Sequence, residues 1–346
     1  MSFRSSEYVQ RYELVRFQLD DVIRIPANGQ KKKKNGYKFT INDRSSFYDW
    51  YNAYFEVQFQ LQKLADGARY VVADRIAVIN GAHSLISHMM IKSAVKIVYD
   101  TDNLHKVTFV KNLLEYSDDF SRSVAKNSLW YLDTTNTTVL ADNAGFAARK
   151  SLMTDANVLK NVNVVIPLNR YNFFEELEDQ MLPPMQLQFN INLQSDAELI
   201  YMNAGTDPGR VVINRFLLWV PKLIPKDSLY VEFVDKYLQP RKWKYSREMY
   251  QVSAPTNNSG FFQISSSIDN VKAIFVYLQR AKTNNAEMNP YIIDTFKLDS
   301  ADNAAANLRN PLPNRHICQI SVNICSISVT VLQLSAVGFP ISVKYL

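Results

Sequence analysis

The chain has 346 residues and a net charge of +6, with 47% hydrophobic, 21% charged and 12% aromatic residues. This is ordinary globular usage, and with only 9 glycines it excludes disordered, fibrous and Gly-rich linker sequences alike. A chain of this length buries about three quarters of its unfolded surface, so it needs no metal or disulfide to hold a core, and its length suggests two domains.

Residues 1–7 have no apolar stretch, so no signal peptide is expected. Cys318 and Cys325 form neither a disulfide framework nor a zinc pattern, and a reducing compartment is expected. The first strand candidate covers 14–25. Lys31, Lys32, Lys33 and Lys34 follow and carry four of the six net positive charges, so the chain has one basic run rather than a basic face. Asn35-Gly36 is a turn signal, so the run reads as a solvated hairpin tip, with contact to nucleic acid or another anion as the alternative.

Strand candidates continue at 38–41 and 55–61, where Phe55, Val57, Phe59 and Leu61 alternate with Glu56, Gln58 and Gln60. Others lie at 75–79, 92–99 and 162–167, each rich in β-branched or aromatic residues. The firmest is 185–193: Met185, Leu187, Phe189, Ile191 and Leu193 alternate with amides, so one face is apolar and the other uncharged but polar. Further candidates are 211–220, 261–265 and 271–278. Helices are predicted at 107–120, at 171–180 with Asn169 as cap, and at 228–238 with Asp227 as cap. They do not alternate with strands, which excludes a doubly wound sheet and leaves an all-β, antiparallel protein with short helices in its connections. The turn-rich stretch 203–209 reads as the domain boundary, giving units 1–203 and 204–310.

Residues 311–346 differ in kind. They contain no Asp or Glu, and their apolar residues alternate with Ser, Thr and Asn in two short runs. Two strands are one reading; a sequence foreign to the fold, through truncation or a shifted frame, is the other. A membrane span is opposed by Gln319, Asn323 and Gln333.

No dinucleotide, P-loop, HExxH or GxSxG motif is present. His83 and His88 would face opposite sides of a strand, a poor metal site, and local hydrogen bonding explains them better. The stretch Asp100, Asp102, His105 reads as turn chemistry after a strand rather than a calcium loop. Glu175, Glu176, Glu178 and Asp179 read as acids at a helix N-terminus. The aromatic clusters 47–55 and 243–245 read as core and sheet packing ahead of base or sugar stacking. No catalytic residue, cofactor site or metal site is assigned, and the chain does not read as an enzyme.

Several phrases nevertheless occur in a familiar order: Arg16 to Asp20 before the Lys run, Ser46 to Phe59, Asn80 to Ile86, Val164 to Leu168, Leu218 to Leu223 and Asn289 to Leu298. Across 8–310 they resemble the double jelly-roll major capsid proteins of Polinton (Maverick) elements and adintoviruses, which also occur as copies integrated in animal genomes. The resemblance implies two tandem eight-stranded jelly rolls, the second incomplete here because the pattern ends after Asn310. It implies a homotrimer with a pseudo-hexagonal outline that tiles an icosahedral shell, penton or minor capsid proteins as partners, and a place in a virion. A degenerate integrated copy, found inside the cell, and a cellular β-sandwich module binding carbohydrate or protein are the other expectations.

Overall fold

The computed structural model describes residues 9–19, 21–26, 33–43, 45–132, 143–182, 184–202, 205–237, 248–253, 274–278, 318–320 and 341–345. Strands dominate, all strand pairs among the described residues are antiparallel, and the helices are short. The chain is an all-β protein.

Two sheets build the first unit. Sheet A runs β1 (Val9–Phe17), β12 (Gly209–Pro225), β5 (Tyr54–Lys63), β9 (Val162–Pro167), with the two-residue β4 (Phe47–Tyr48) also on β12. Sheet B runs β2 (Asp21–Pro26), β3 (Lys33–Ile41), β10 (Leu187–Leu193), β7 (Ile86–Ser93), β8 (Lys96–Asp102). The pairs are nested: β1 with β12, β3 with β10, β5 with β9, and β7 with β8 innermost. A long hairpin folded over on itself in this way, its pairs falling alternately in the two sheets, is a jelly roll. Here it spans residues 9–225.

Period-two alternation explains why these sheets close on one core. In β5, Phe55, Val57, Phe59 and Leu61 are buried while the intervening residues are half-exposed; β10 repeats the pattern with Leu187, Phe189 and Ile191. From β12, Phe216, Leu218 and Val220 point inward. Phe216 lies 5.2 Å from Phe55 within sheet A and 5.3 Å from Phe39 on sheet B, centroid to centroid, so it ties the two sheets together. Trp50 packs on Phe174 and Phe189, and Phe47, Tyr48 and Phe55 are buried too, so these members of the 47–55 cluster serve the core while Tyr54 lies half-exposed on the sheet.

The small pair β6 (Ile76–Val78) and β11 (Ile200–Met202) lies beside the roll. Between β8 and β9 run α1 (Leu104–Glu115), α2 (Asp118–Arg122) and α3 (Ala144–Met153). Three more helices follow: α4 (Asn172–Glu175), α5 (Asp196–Leu199) and α6 (Tyr230–Tyr237). A further sheet has the order β13 (Met249–Ser253), β16 (Ile341–Tyr345), β14 (Ile274–Leu278), β15 (Cys318–Ile320). The described parts of the 311–346 stretch are therefore two strands paired with β13 and β14.

Several expectations need correction. The boundary at 203/204 cuts through sheet A, because β12 lies beyond it and pairs with both β1 and β5. The 14–25 candidate is two strands in different sheets, β1 and β2. The 92–99 candidate bridges a hairpin, turning at Ala94 with φ 51° between β7 and β8. The 107–120 helix starts earlier and breaks in two, because Ser117 caps a new helix by accepting the Phe120 N–H. The 171–180 helix is only one turn and Asn169 does not cap it; Asp227 lies inside a 3-10 turn rather than capping a helix. The 261–265 strand lies outside the described residues. The helix α3 was not foreseen; Asn143 caps it, accepting from Gly145 N and Phe146 N.

If β12 is a core strand of the first roll, Phe216→Ala opens a cavity and costs about 3–5 kcal/mol. Urea unfolding of the full chain tests this; a loss below about 1 kcal/mol would place β12 outside that core.

Candidate functional site

Lys33 and Lys34 open β3, opposite Pro26 and Ile25 of β2; Lys31 and Lys32 lie outside the described residues. The expected turn at Asn35-Gly36 is strand. Gly36 pairs with Ile23 on one side and Asn192 on the other, and a ladder on both sides outweighs the local turn preference. Trp243 and Tyr245 also lie outside the described residues.

A different set of polar residues comes together inside the fold, beside α1. Its buried face presents His105, Thr108, Lys111 and Asn112, at helical spacing. His83, in a 3-10 turn (Ala82–Leu85), packs its ring over Gly81, whose φ is +84°; a Cβ there would meet His83 Cε1 at 2.1 Å, so only glycine fits. Asn112 Oδ1 accepts from Arg170 Nε at 2.8 Å, so its amide nitrogen must donate to His83 Nδ1 at 3.0 Å. Gln194 Oε1 accepts from Ser195 N, so Gln194 Nε2 donates to His105 Nε2 at 2.7 Å. Both imidazoles are thereby held neutral. Burial first, then the nearby Arg170 and His105, lowers the His83 pKa to about 3; burial, then Lys106, lowers that of His105 to about 3.

Charges here are paired. Lys111, 2% exposed, donates to Asn172 Oδ1 at 3.2 Å and pairs with Glu175, while Arg170 pairs with Glu115 at 2.6 Å. Glu175 thus ends α4 instead of opening a longer helix, and Glu176 and Glu178 follow it in turns. Glu248, 2% exposed, accepts Tyr99 OH and Asn172 N–H, each at 2.6 Å. Burial, then the Glu248 carboxylate, pushes the Tyr99 hydroxyl well above its ordinary pKa. Since β13 starts at the next residue, Glu248 pins the second sheet to the β8 side of the roll, where Lys106 also lies 5.0 Å from the Tyr250 ring centre.

His88, on β7, faces outward and bonds Asp100 Oδ1 at 2.7 Å. Asp100 and Asp102 belong to β8, not to a turn; the turn is Asn103, at φ 54°. His83 and His88 therefore have separate partners. No three His, Cys, Asp or Glu side chains form a metal-binding group among the described residues. No described helix is long and apolar enough to cross a membrane. Many of the seam's polar groups are spent on one another, which fixes geometry, while His83 Nε2, His105 Nδ1 and Thr108 Oγ1 are buried without a hydrogen bond. Its key members escaped sequence reading: a helix lysine is ordinarily solvated, so Lys111 gives no sign of its burial, and Glu248, which follows Arg247, gives none either.

No family model and no curated protein matches the chain. Among solved structures, it is similar to a chain of the Sputnik virophage seen by cryo-EM, with a TM-score of 0.49 and 10% identity over 98% of this chain and 82% of that one. The Faustovirus major capsid protein gives 0.47 and 9% over 80% and 64%. The mavirus major capsid protein gives 0.38 and 11% over 79% and 61%. The jelly-roll assignment of residues 9–225 rests on the strand order.

The buried histidines set a pH dependence. Unfolded, each binds a proton near pH 6.5; folded, not until about pH 3. Stability present above pH 6.5 is lost as pH falls, at about 1.4 kcal/mol per pH unit per histidine. Tm should fall steeply between pH 6.5 and 4.5, and less so in His105→Gln; a flat profile in the wild-type chain would contradict the buried neutral pair. For the Lys run, replacing Lys31, Lys32, Lys33 and Lys34 by Ser should weaken salt-sensitive DNA binding, and unchanged binding would exclude them as phosphate contacts.

Proposed function

We propose that this chain is a structural shell protein of the double jelly-roll major capsid type. The observation that carries the reading is the nested pairing of residues 9–225, followed in the same chain by a second antiparallel sheet. That sheet takes the role of the start of a second roll, and three chains form a trimer whose six units give a pseudo-hexagonal capsomer. The ordered phrases from Arg16 to Leu298 support kinship with the Polinton and adintovirus group. Function is then assembly, by complementary surfaces and repeated weak contacts, with no bond made or broken.

Several features fit this role. Most of the largest buried side chains lie in the roll's core and in the seam beside it, giving a stiff block suited to repeated packing. The seam at Glu248 fixes where the second sheet begins relative to the first roll, which a capsomer needs in order to present a fixed outline. Minor capsid or penton proteins would meet such trimers at the shell's vertices, and the Lys run would face the packaged nucleic acid.

Light scattering on the purified chain tests the reading. A discrete trimer is expected. A folded monomer at all concentrations would contradict it, and aggregates rescued into trimers by a restored C-terminal sequence would identify a degenerate copy.

A further inference from the structure

The outer face of sheet A carries a row of flat side chains. Register sets Arg16 of β1 opposite Trp219 of β12, Trp219 opposite Tyr54 of β5, and Tyr54 opposite Pro167 of β9. Leu218, Phe55 and Ile166, their chain neighbours, are buried, so alternation turns the row outward. Arg16 is exposed and the other three are half-exposed. The row crosses four strands, about 14 Å at the usual strand spacing. The Trp219 and Tyr54 rings lie nearly parallel, 21° apart with centroids 6.5 Å apart.

Polar groups beside the row are already partnered within the face. Glu56 accepts from Trp219 Nε1 at 2.8 Å and pairs with Arg215. Gln58 donates to Asn163 at 2.8 Å, Gln60 to Asn161 at 3.0 Å and Asn214 to Asn161 at 2.9 Å. A face of this kind can be covered by protein without orphaning its polar groups, which keeps desolvation cheap. A saccharide would need those donors and acceptors for itself. Trp, Tyr and Arg are also the residues that dominate protein interfaces.

Charge selects the occupant. Three arginines on this face, Arg16, Arg210 and Arg215, stand against Glu56. On the opposite side of the same roll, sheet B's outer face places Lys38 and Lys92 on inner strands and its carboxylates, Asp100 and Asp102, at the β8 edge. Those carboxylates are 47% and 83% exposed, with His88 at 2.7 and 4.0 Å. A cationic face and an acidic edge on opposite sides of one unit suit head-to-tail contact, which forms a ring where the rotation from copy to copy closes and a filament where it does not.

We infer that the row Arg16, Trp219, Tyr54, Pro167 is the docking surface for a second copy of this chain, whose β8 edge brings Asp102 against Arg16. The inference rests on the assembly reading above and names its contact. The test is the concentration dependence of molar mass, by light scattering, for the full chain and its charge-reversed variants. Arg16→Glu and Asp102→Arg, each alone, should weaken assembly at least tenfold, and the two together in one chain should restore it. Near-ultraviolet circular dichroism checks that each variant is folded, and Trp219→Phe, which keeps a flat ring but loses the Glu56 bond, should weaken assembly less than Trp219→Ala. Trimers unaffected by either reversal would overturn this contact while leaving the capsid reading intact. Loss in both single variants without recovery in the double would overturn the Asp102 pairing. A monomeric wild-type chain, or one whose Trp219 row binds saccharide saturably instead, would overturn the contact and the assembly reading together.

Discussion

The fold depends on one long-range pairing. Strand β12 enters sheet A between β1, formed some 200 residues earlier in the chain, and β5, so a late segment completes a sheet begun by the earliest described one. Nothing local favours this arrangement; loop-closure entropy opposes it, and only apolar burial repays the cost. Phe216, Leu218 and Val220 supply that burial against Phe39, Phe55 and the rest of the shared core. The nested pairs β3 with β10 and β5 with β9 lie inside the same constraint. Were β12 to leave, β1 would have no partner among the described strands and β5 would expose a bare ladder edge.

A second constraint works through polar groups. The helices between β8 and β9 cannot cover the roll with apolar contacts alone, because His83, His105, Lys111 and Asn112 are buried among them. His105 is held by Gln194 after β10, Asn112 by Arg170 and Lys111 by Asn172 after β9, and Asn112 in turn holds His83, while Asn172 also donates its N–H to Glu248 before β13. Such a network adds little net stability, since buried charges pay a desolvation cost close to what pairing returns. It defines position instead. A shift of α1 by one turn would strand several of these groups at once, so they fix how the helices and the second sheet sit on the roll. For the shell protein proposed above, which would repeat one outline many times, that is the relevant property.

The sequence revealed what period two can encode. The alternation of Leu187, Phe189 and Ile191 with amides, and of Phe55 to Leu61 with Glu and Gln, located β10 and β5 and their buried faces correctly, and the class of fold followed. It did not reveal which strands pair, because the same alternation suits any partner; hence the turn-rich composition of 203–209 suggests the end of a unit, although β12 beyond it belongs to sheet A. Asn35-Gly36 failed for a related reason: its turn preference is local, and the two flanking strands that overrule it are remote. The polar seam was illegible because Lys111 and Glu248 become informative only once their partners are in place. The row from Arg16 to Pro167 is likewise a property of register, invisible while its four members are scattered from position 16 to 219.

The most direct test of the central pairing is backbone hydrogen exchange, read segment by segment on the full chain. A strand bonded on both sides exchanges only when the sheet opens. The amides of Leu218 and Trp219, where β12 lies between β1 and β5, should therefore exchange as slowly as those of 54–59, which lie between β12 and β9, while the rest of 209–225, laddered to β5 or to β1, should still be protected. Loop-like exchange across 209–225, with 54–63 still protected, would show that β12 does not close the roll.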